Sequence, residues 1–152
     1  MTVAVLNLDA RKFSRPLRAL SVLKSYILNF IAYTYLMMGK PELLHKADTC
    51  SRLALEKMPW IVYNKGTRGS VLVELGKYEE GLRLLHDAMR NHTEKRGQAL
   101  DACHIGIAEA RRGNLAESRN YFAIARRLDP KCKLLDRELT LQKSSNAGRL
   151  NQ

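Results

Sequence analysis

Residues 60–89, WIVYNKGTRGSVLVELGKYEEGLRLLHDAM, hold two apolar-periodic runs joined at Gly76-Lys77. After the glycine, Tyr78, Leu82, Leu85 and Met89 recur at three-to-four spacing, the period of a helix with one buried stripe. Glycine suits the end of the preceding helix, because the chain must turn there through positive φ. The same punctuation stands at Gly39-Lys40 and Gly113-Asn114, 37 residues to either side. Behind Gly113 the stripe is Leu115, Tyr121, Phe122, Ala125 and Leu128. The chain therefore reads as a repeated unit of helix, glycine turn and helix, and the fold class as all-α.

The flanks read as caps on that array. Ser14-Arg15-Pro16 has the form of a helix start, with Ser14 as N-cap and Pro16 in the first turn. A helix from there runs into Ser25–Gly39, a stretch without charge. At about 15 residues that stretch is shorter than the ~20 a bilayer span needs, so it reads as a buried core helix. Lys133 to Lys143, with Leu134, Leu135, Leu139 and Leu141, reads as a short closing helix, and 144–152 as a disordered tail. Thr2 to Leu8 is strand-like and belongs to no repeat; residues 1–24 form an arm and the start of the first capping helix.

The units resemble the tetratricopeptide repeat over residues 25–132, divided at about 25–61, 62–98 and 99–132. In the second unit Gly69 stands at the small place of the first helix, and Leu75-Gly76-Lys77-Tyr78 at the turn. Gly81, Leu85 and Ala88 then follow as small, bulky and small residues. The third unit has Gly106, Gly113, Leu115, Ser118, Phe122 and Ala125, closed by Leu128-Asp129-Pro130. The first has Ala32, Tyr35 and Gly39, and fits onward with a three-residue insertion that places Ala47, Ala54 and Pro59. Lys65 and Arg68 stand where the family has bulky apolar residues, and Gly81 where it has alanine.

The resemblance implies a right-handed α-α superhelix whose first helices line a concave, peptide-binding groove. Carried over, that groove takes Tyr26, Asn29, Phe30, Tyr33 and Leu36 from the first unit. The second supplies Tyr63, Gly66, Thr67, Ser70 and Val73, and the third Leu100, Cys103, His104, Ile107 and Arg111. It implies a protein-protein adaptor or scaffold whose partner presents a peptide or helix. Family members that grip a C-terminal dicarboxylate use Lys, Asn and Arg at fixed groove places. Here those places hold Asn29, Tyr33, Thr67, Leu100 and His104, of which only Asn29 fits.

Composition supplies the competing readings. The 152 residues carry 26 Lys plus Arg against 15 Asp plus Glu, a formal +11. The excess is +4 over residues 1–24, +2 over 25–93 and +5 over 94–152. Such a field favours acidic partners: an acidic peptide, nucleic acid or an anionic surface. Lys65, Arg68, Arg126 and Arg127 are candidate anion-binding groups; if Lys65 and Arg68 point inward, they need partners such as Glu74. A basic helical-repeat protein binding nucleic acid is the first alternative, although Glu109, Glu117 and Asp129 interrupt the patch. The second is a soluble regulatory domain of a larger assembly, membrane-associated in one version. An exposed edge of the terminal repeats would also allow a homodimer.

No enzyme, metal or cofactor motif is present. There is no phosphate-binding loop, dinucleotide fingerprint, nucleophile elbow or His-Glu-x-x-His. Cys103 and His104 are adjacent on a helix and point about 100° apart, which is a poor nucleophile–base geometry. His86 and His92 read as surface histidines. Cys50, Cys103 and Cys132 lack zinc spacing and are odd in number, which suits reduced thiols in a cytoplasmic protein.

Overall fold

The computed structural model describes residues 15–150, with side chains from 18 to 141. The strand-like Thr2 to Leu8, the Ser14 cap and residues 151–152 lie outside the described residues. Among these there are seven α-helices and no strand. They are α1 (Arg15–Met38), α2 (Leu44–Lys57), α3 (Val62–Glu74), α4 (Tyr78–Asn91), α5 (Lys95–Arg111), α6 (Leu115–Leu128) and α7 (Lys133–Leu150). The described chain is all-α.

Each helix packs on the next: α1 on α2, α3 on α4 and α5 on α6 as hairpins, with α2 on α3 and α4 on α5 joining them. The first helices also meet one another, α1 beside α3 and α3 beside α5, and α7 closes against α5 and α6. Gly39, Gly76 and Gly113 have φ of +63°, +76° and +86°, the left-handed conformation a side chain resists. Behind Gly76 the Lys77 amide donates to the Leu72 carbonyl at 2.9 Å, and Asn114 to Glu109 at 2.9 Å repeats the pattern. In the first hairpin a 3₁₀ turn, Pro41–Leu43, separates Gly39 from α2 and accounts for the three extra residues.

Small residues set the distance between paired helices. A Cβ on Gly69 would stand 2.9 Å from the Gly81 carbonyl oxygen and 2.8 Å from Leu85 Cγ. The alanine expected at position 81 would likewise meet Gly69 O at 2.9 Å. Gly69→Ala is therefore expected to lower stability by about 2 kcal/mol, since crowding against backbone outweighs the ~1 kcal/mol gain in helix propensity. A chemical-denaturation midpoint at or above the parent's would show that α3 and α4 can part without cost.

Two expectations need correction. Ser25–Gly39 is not a buried core helix. Ser25, Ala32 and Leu36 are buried, whereas Ile27 is 49% exposed and Phe30 70%, because among the described residues α1 packs chiefly against α2 and α3. No helix among the described residues is long and apolar enough to cross a membrane. The segment 144–150 is not a disordered tail but continues α7 to Leu150. No proline interrupts it, and extending a formed helix adds one hydrogen bond per residue fixed.

Candidate functional site

The faces of α1, α3 and α5 that look away from their hairpin partners enclose a cavity of about 420 Å³. From α1 it takes Tyr26, Asn29, Phe30 and Tyr33; from α3, Tyr63, Gly66, Thr67 and Ser70; from α5, Gly97, Leu100, Asp101 and His104. Tyr26 and Tyr63 keep 49% and 44% of their surface in solvent, so the aromatic wall is open. The remaining groove candidates lie elsewhere. Leu36, Val73, Cys103 and Ile107 belong to the packed core. Arg111 turns to Glu74, its Nη2 donating to both carboxylate oxygens at 3.0 and 3.1 Å.

The four candidate anion-binding residues do not come together. Lys65 Nζ donates to Asp87 Oδ2 at 2.6 Å and holds that carboxyl below its usual range. Arg68 is 7% exposed and donates through Nη1 to Asp48 Oδ1 at 2.5 Å and to Ser51 Oγ at 3.2 Å. Allowing for the insertion, Ser51 occupies the place of Leu85 and Phe122 in the later hairpins, which is where an inward arginine finds a polar partner. The partner expected for this cluster, Glu74, is engaged by Arg111 instead. Arg126 donates to Asp136 Oδ1 at 2.6 Å and to the Pro130 carbonyl at 2.8 Å, while Arg127 is exposed.

The floor of the cavity is polar. Asp101 is 4% exposed, and its Oδ2 lies 3.3 Å from His92 Nε2 yet receives no hydrogen bond. Asn29 Oδ1 is likewise buried without a donor. Each such oxygen costs about 1–3 kcal/mol. His92 is not a surface histidine: it is 7% exposed, with its ring edge-on to Tyr63 at 4.7 Å. Two helical glycines make this arrangement fit. A Cβ on Gly66 would meet Asp101 Oδ1 at 2.7 Å, and one on Gly97 would meet His92 Nδ1 at 2.7 Å.

Burial decides the protonation states. It pushes Asp101 up to about 8 and lowers His92, for which Glu94 compensates only in part. The Asp101–His92 contact is thus between neutral groups rather than an ion pair. Burial also takes His104 down to about 4, against the opposing pull of the Leu100 carbonyl. His104 Nδ1 lies 3.0 Å from that carbonyl, which can only accept, so Nδ1 carries the proton. At the rim the Tyr63 hydroxyl is held above its usual range, mainly by burial and further by the nearby Glu94 carboxylate.

A second cavity, about 570 Å³, adjoins the first and shares Tyr33, Arg96 and Leu100 with it. Its lining includes Lys95, Lys131 and Lys133 with Asp129, a largely basic rim. Comparison with protein families, curated proteins and solved structures finds no match to the chain.

Asp101, His92, Glu94 and Arg96 were not among the expected site residues. A signal existed for Asp101: with Gly97 and His104 it shares one helix face at i−4 and i+3, an acid among small and neutral groups. The nearness of two thiols had no such signal. Cys103, on α5, stands beside Cys132 in the turn before α7, and that neighbour pushes its thiol up. Cys132 is lowered to about 6, first by the Cys103 thiol and further by the Leu135 and Leu134 amides, against the effect of burial. Among the described residues no group of His, Cys, Asp and Glu has the arrangement of a metal site.

Proposed function

We propose that the chain is a tetratricopeptide-like array, three hairpins in a right-handed superhelix, acting as a non-enzymatic adaptor. It holds a peptide or helix of a partner protein against the face made by α1, α3 and α5. The observation that carries this reading is the open cavity lined by all three first helices, with exposed Tyr26, Phe30 and Tyr63 around a polar floor. Rings of this kind bury large area at low entropic cost and commonly dominate binding energy. The basic rim of the neighbouring cavity suits an acidic stretch of the same partner, and the net positive charge would speed its approach. The thiols of Cys50, Cys103 and Cys132 suit a reducing, cytoplasmic setting.

Three of the bases that would serve nucleic-acid binding are engaged: Arg111 with Glu74, Arg112 with Glu79 and Glu109, Arg126 with Asp136. The test is affinity capture from a lysate of the source cell, with and without nuclease, at about 50 and 200 mM salt. The adaptor reading expects a protein partner retained under all four conditions. Tyr63→Ala is expected to weaken its binding about 30-fold, a hot-spot loss of about 2 kcal/mol, with stability changed by under about 1 kcal/mol. Arg126→Glu with Arg127→Glu should leave binding intact. Retention that disappears with nuclease and salt sinks the reading, as does a Tyr63→Ala variant that loses stability but keeps its partner.

A further inference from the structure

Two oxygens in the floor of the cavity have no hydrogen-bond partner, and both are acceptors once Asp101 is ionised. Asn29 Oδ1 comes from α1 and Asp101 Oδ2 from α5, each buried, neither receiving a hydrogen bond. Native chains leave few such atoms, so two lining one cavity call for a donor from outside. Around them stand the rings of Tyr26, Phe30, Tyr33 and Tyr63, and aromatic rings attract organic cations. Glu94 adds a carboxylate at the rim, no lysine lines the cavity, and Arg96 is exposed at its edge. We propose that the cavity is a socket for an alkylammonium group of the partner, as a lysine side chain or a chain amino terminus carries, with Asp101 as counter-ion and Asn29 Oδ1 as second acceptor. This rests on the reading of the inner face as the docking surface and specifies what anchors there.

The other ligand classes fit less well. A carboxylate would place its oxygens against Asn29 Oδ1 and Glu94, with the Asp101 proton as the donor the acid itself supplies. A neutral alcohol would satisfy one acceptor and bring no charge for the rings to attract. An ammonium supplies three N–H donors and the charge that both the rings and Asp101 favour.

Binding of an ammonium releases the proton that the buried carboxyl otherwise keeps, so affinity should rise about 25-fold between pH 6.5 and 8.5. The titratable and charged groups facing Asp101 are Tyr26 and Tyr33 on α1, Tyr63 on α3, His92 and Glu94 before α5, and Arg96 and His104 on it. Both histidines are held below their usual range and stay largely neutral over that interval.

The test titrates the full chain with n-butylammonium, n-butanol and n-butyrate, followed by the amide resonances of Gly66 and Gly97. The expected result is saturable binding of n-butylammonium at least tenfold tighter than of the other two, strengthening with pH. Asp101→Asn should lose at least tenfold of it while the chain stays folded, because the amide has the size and neutrality of the protonated acid. Equal binding of n-butanol, preference for n-butyrate, an unaffected Asp101→Asn variant or no response to any probe would each overturn the socket. None of these probes involves the partner. Saturable n-butylammonium binding with a captured protein that ignores Tyr63→Ala would sink the adaptor reading and leave the socket standing.

Discussion

Asp101→Asn is expected to make the chain more stable than the parent at pH 9 by about 6 kcal/mol, and to leave the two alike near pH 4. The sign follows from the direction of the shift. A carboxyl raised in the folded state from 3.8 to about 8 keeps its proton across an interval in which the unfolded chain has lost it. Folded protein then binds more protons than unfolded, so stability falls as pH rises through that window and is fully lost above the folded value. The gap, at about 1.4 kcal/mol per tenfold, sets the ~6 kcal/mol. An asparagine has nothing to lose. The acid limb belongs to the histidines: His104 and His92 are lowered, so their contribution is present above 6.5 and lost as pH falls toward about 4. Cys132, held down at about 6, works in the opposite sense to Asp101 on the alkaline side. The difference between parent and variant, rather than either curve alone, isolates the carboxyl. Denaturant midpoints measured from pH 4 to 9 decide the matter, and a variant that keeps the alkaline decline would mean Asp101 is already ionised when folded.

Asn64→Asp should cost about 3 kcal/mol at pH 6, the second largest effect foreseen. Asn64 is fully buried, and its Nδ2 donates to Ser25 Oγ at 2.9 Å, the Ala54 carbonyl at 3.0 Å and the Met58 carbonyl at 2.9 Å. Ser25 Oγ in turn donates to the Ala54 carbonyl at 3.1 Å. One amide thus ties the end of α2 to α1 and α3. Aspartate has the same shape, so packing is kept while the donor pair becomes oxygen facing oxygen. The lost hydrogen bonds and the acceptors left short of donors set the magnitude. For a chain of this size a loss of that order moves the thermal midpoint by roughly 10 °C. A melt within about 2 °C of the parent would mean that the three helices are held together without this contact.

The helical fold was legible because its signals are local. Gly39, Gly76 and Gly113 announce their turns through a conformation that only the residue itself determines. The stripe from Tyr78 to Met89 announces a buried face through spacing alone. Ten of the fifteen groove candidates that the tetratricopeptide resemblance implied line the cavity. Leu36, Val73, Cys103 and Ile107 went to the core because the same face narrows against the next helix, and periodicity does not say how close that helix comes.

The roles of the polar residues were settled by packing. Lys65 and Arg68 look like one basic cluster in sequence, with Asn64 beside them. In the fold Asn64 ties helix ends together, Lys65 reaches Asp87 on α4 and Arg68 reaches Asp48 on α2. Their partners lie 6 to 39 residues away, at distances that depend on how three helices settle together. His92 and Asp101 became a buried neutral pair only because Gly66 and Gly97 leave room for them. By itself the sequence determined where the helices are and which face of each is apolar, because a helix is made by bonds between near neighbours. Only the tertiary structure decided which buried polar atoms find partners and which wait for one, because hydrogen bonding and desolvation act over a few ångströms between residues the chain keeps far apart.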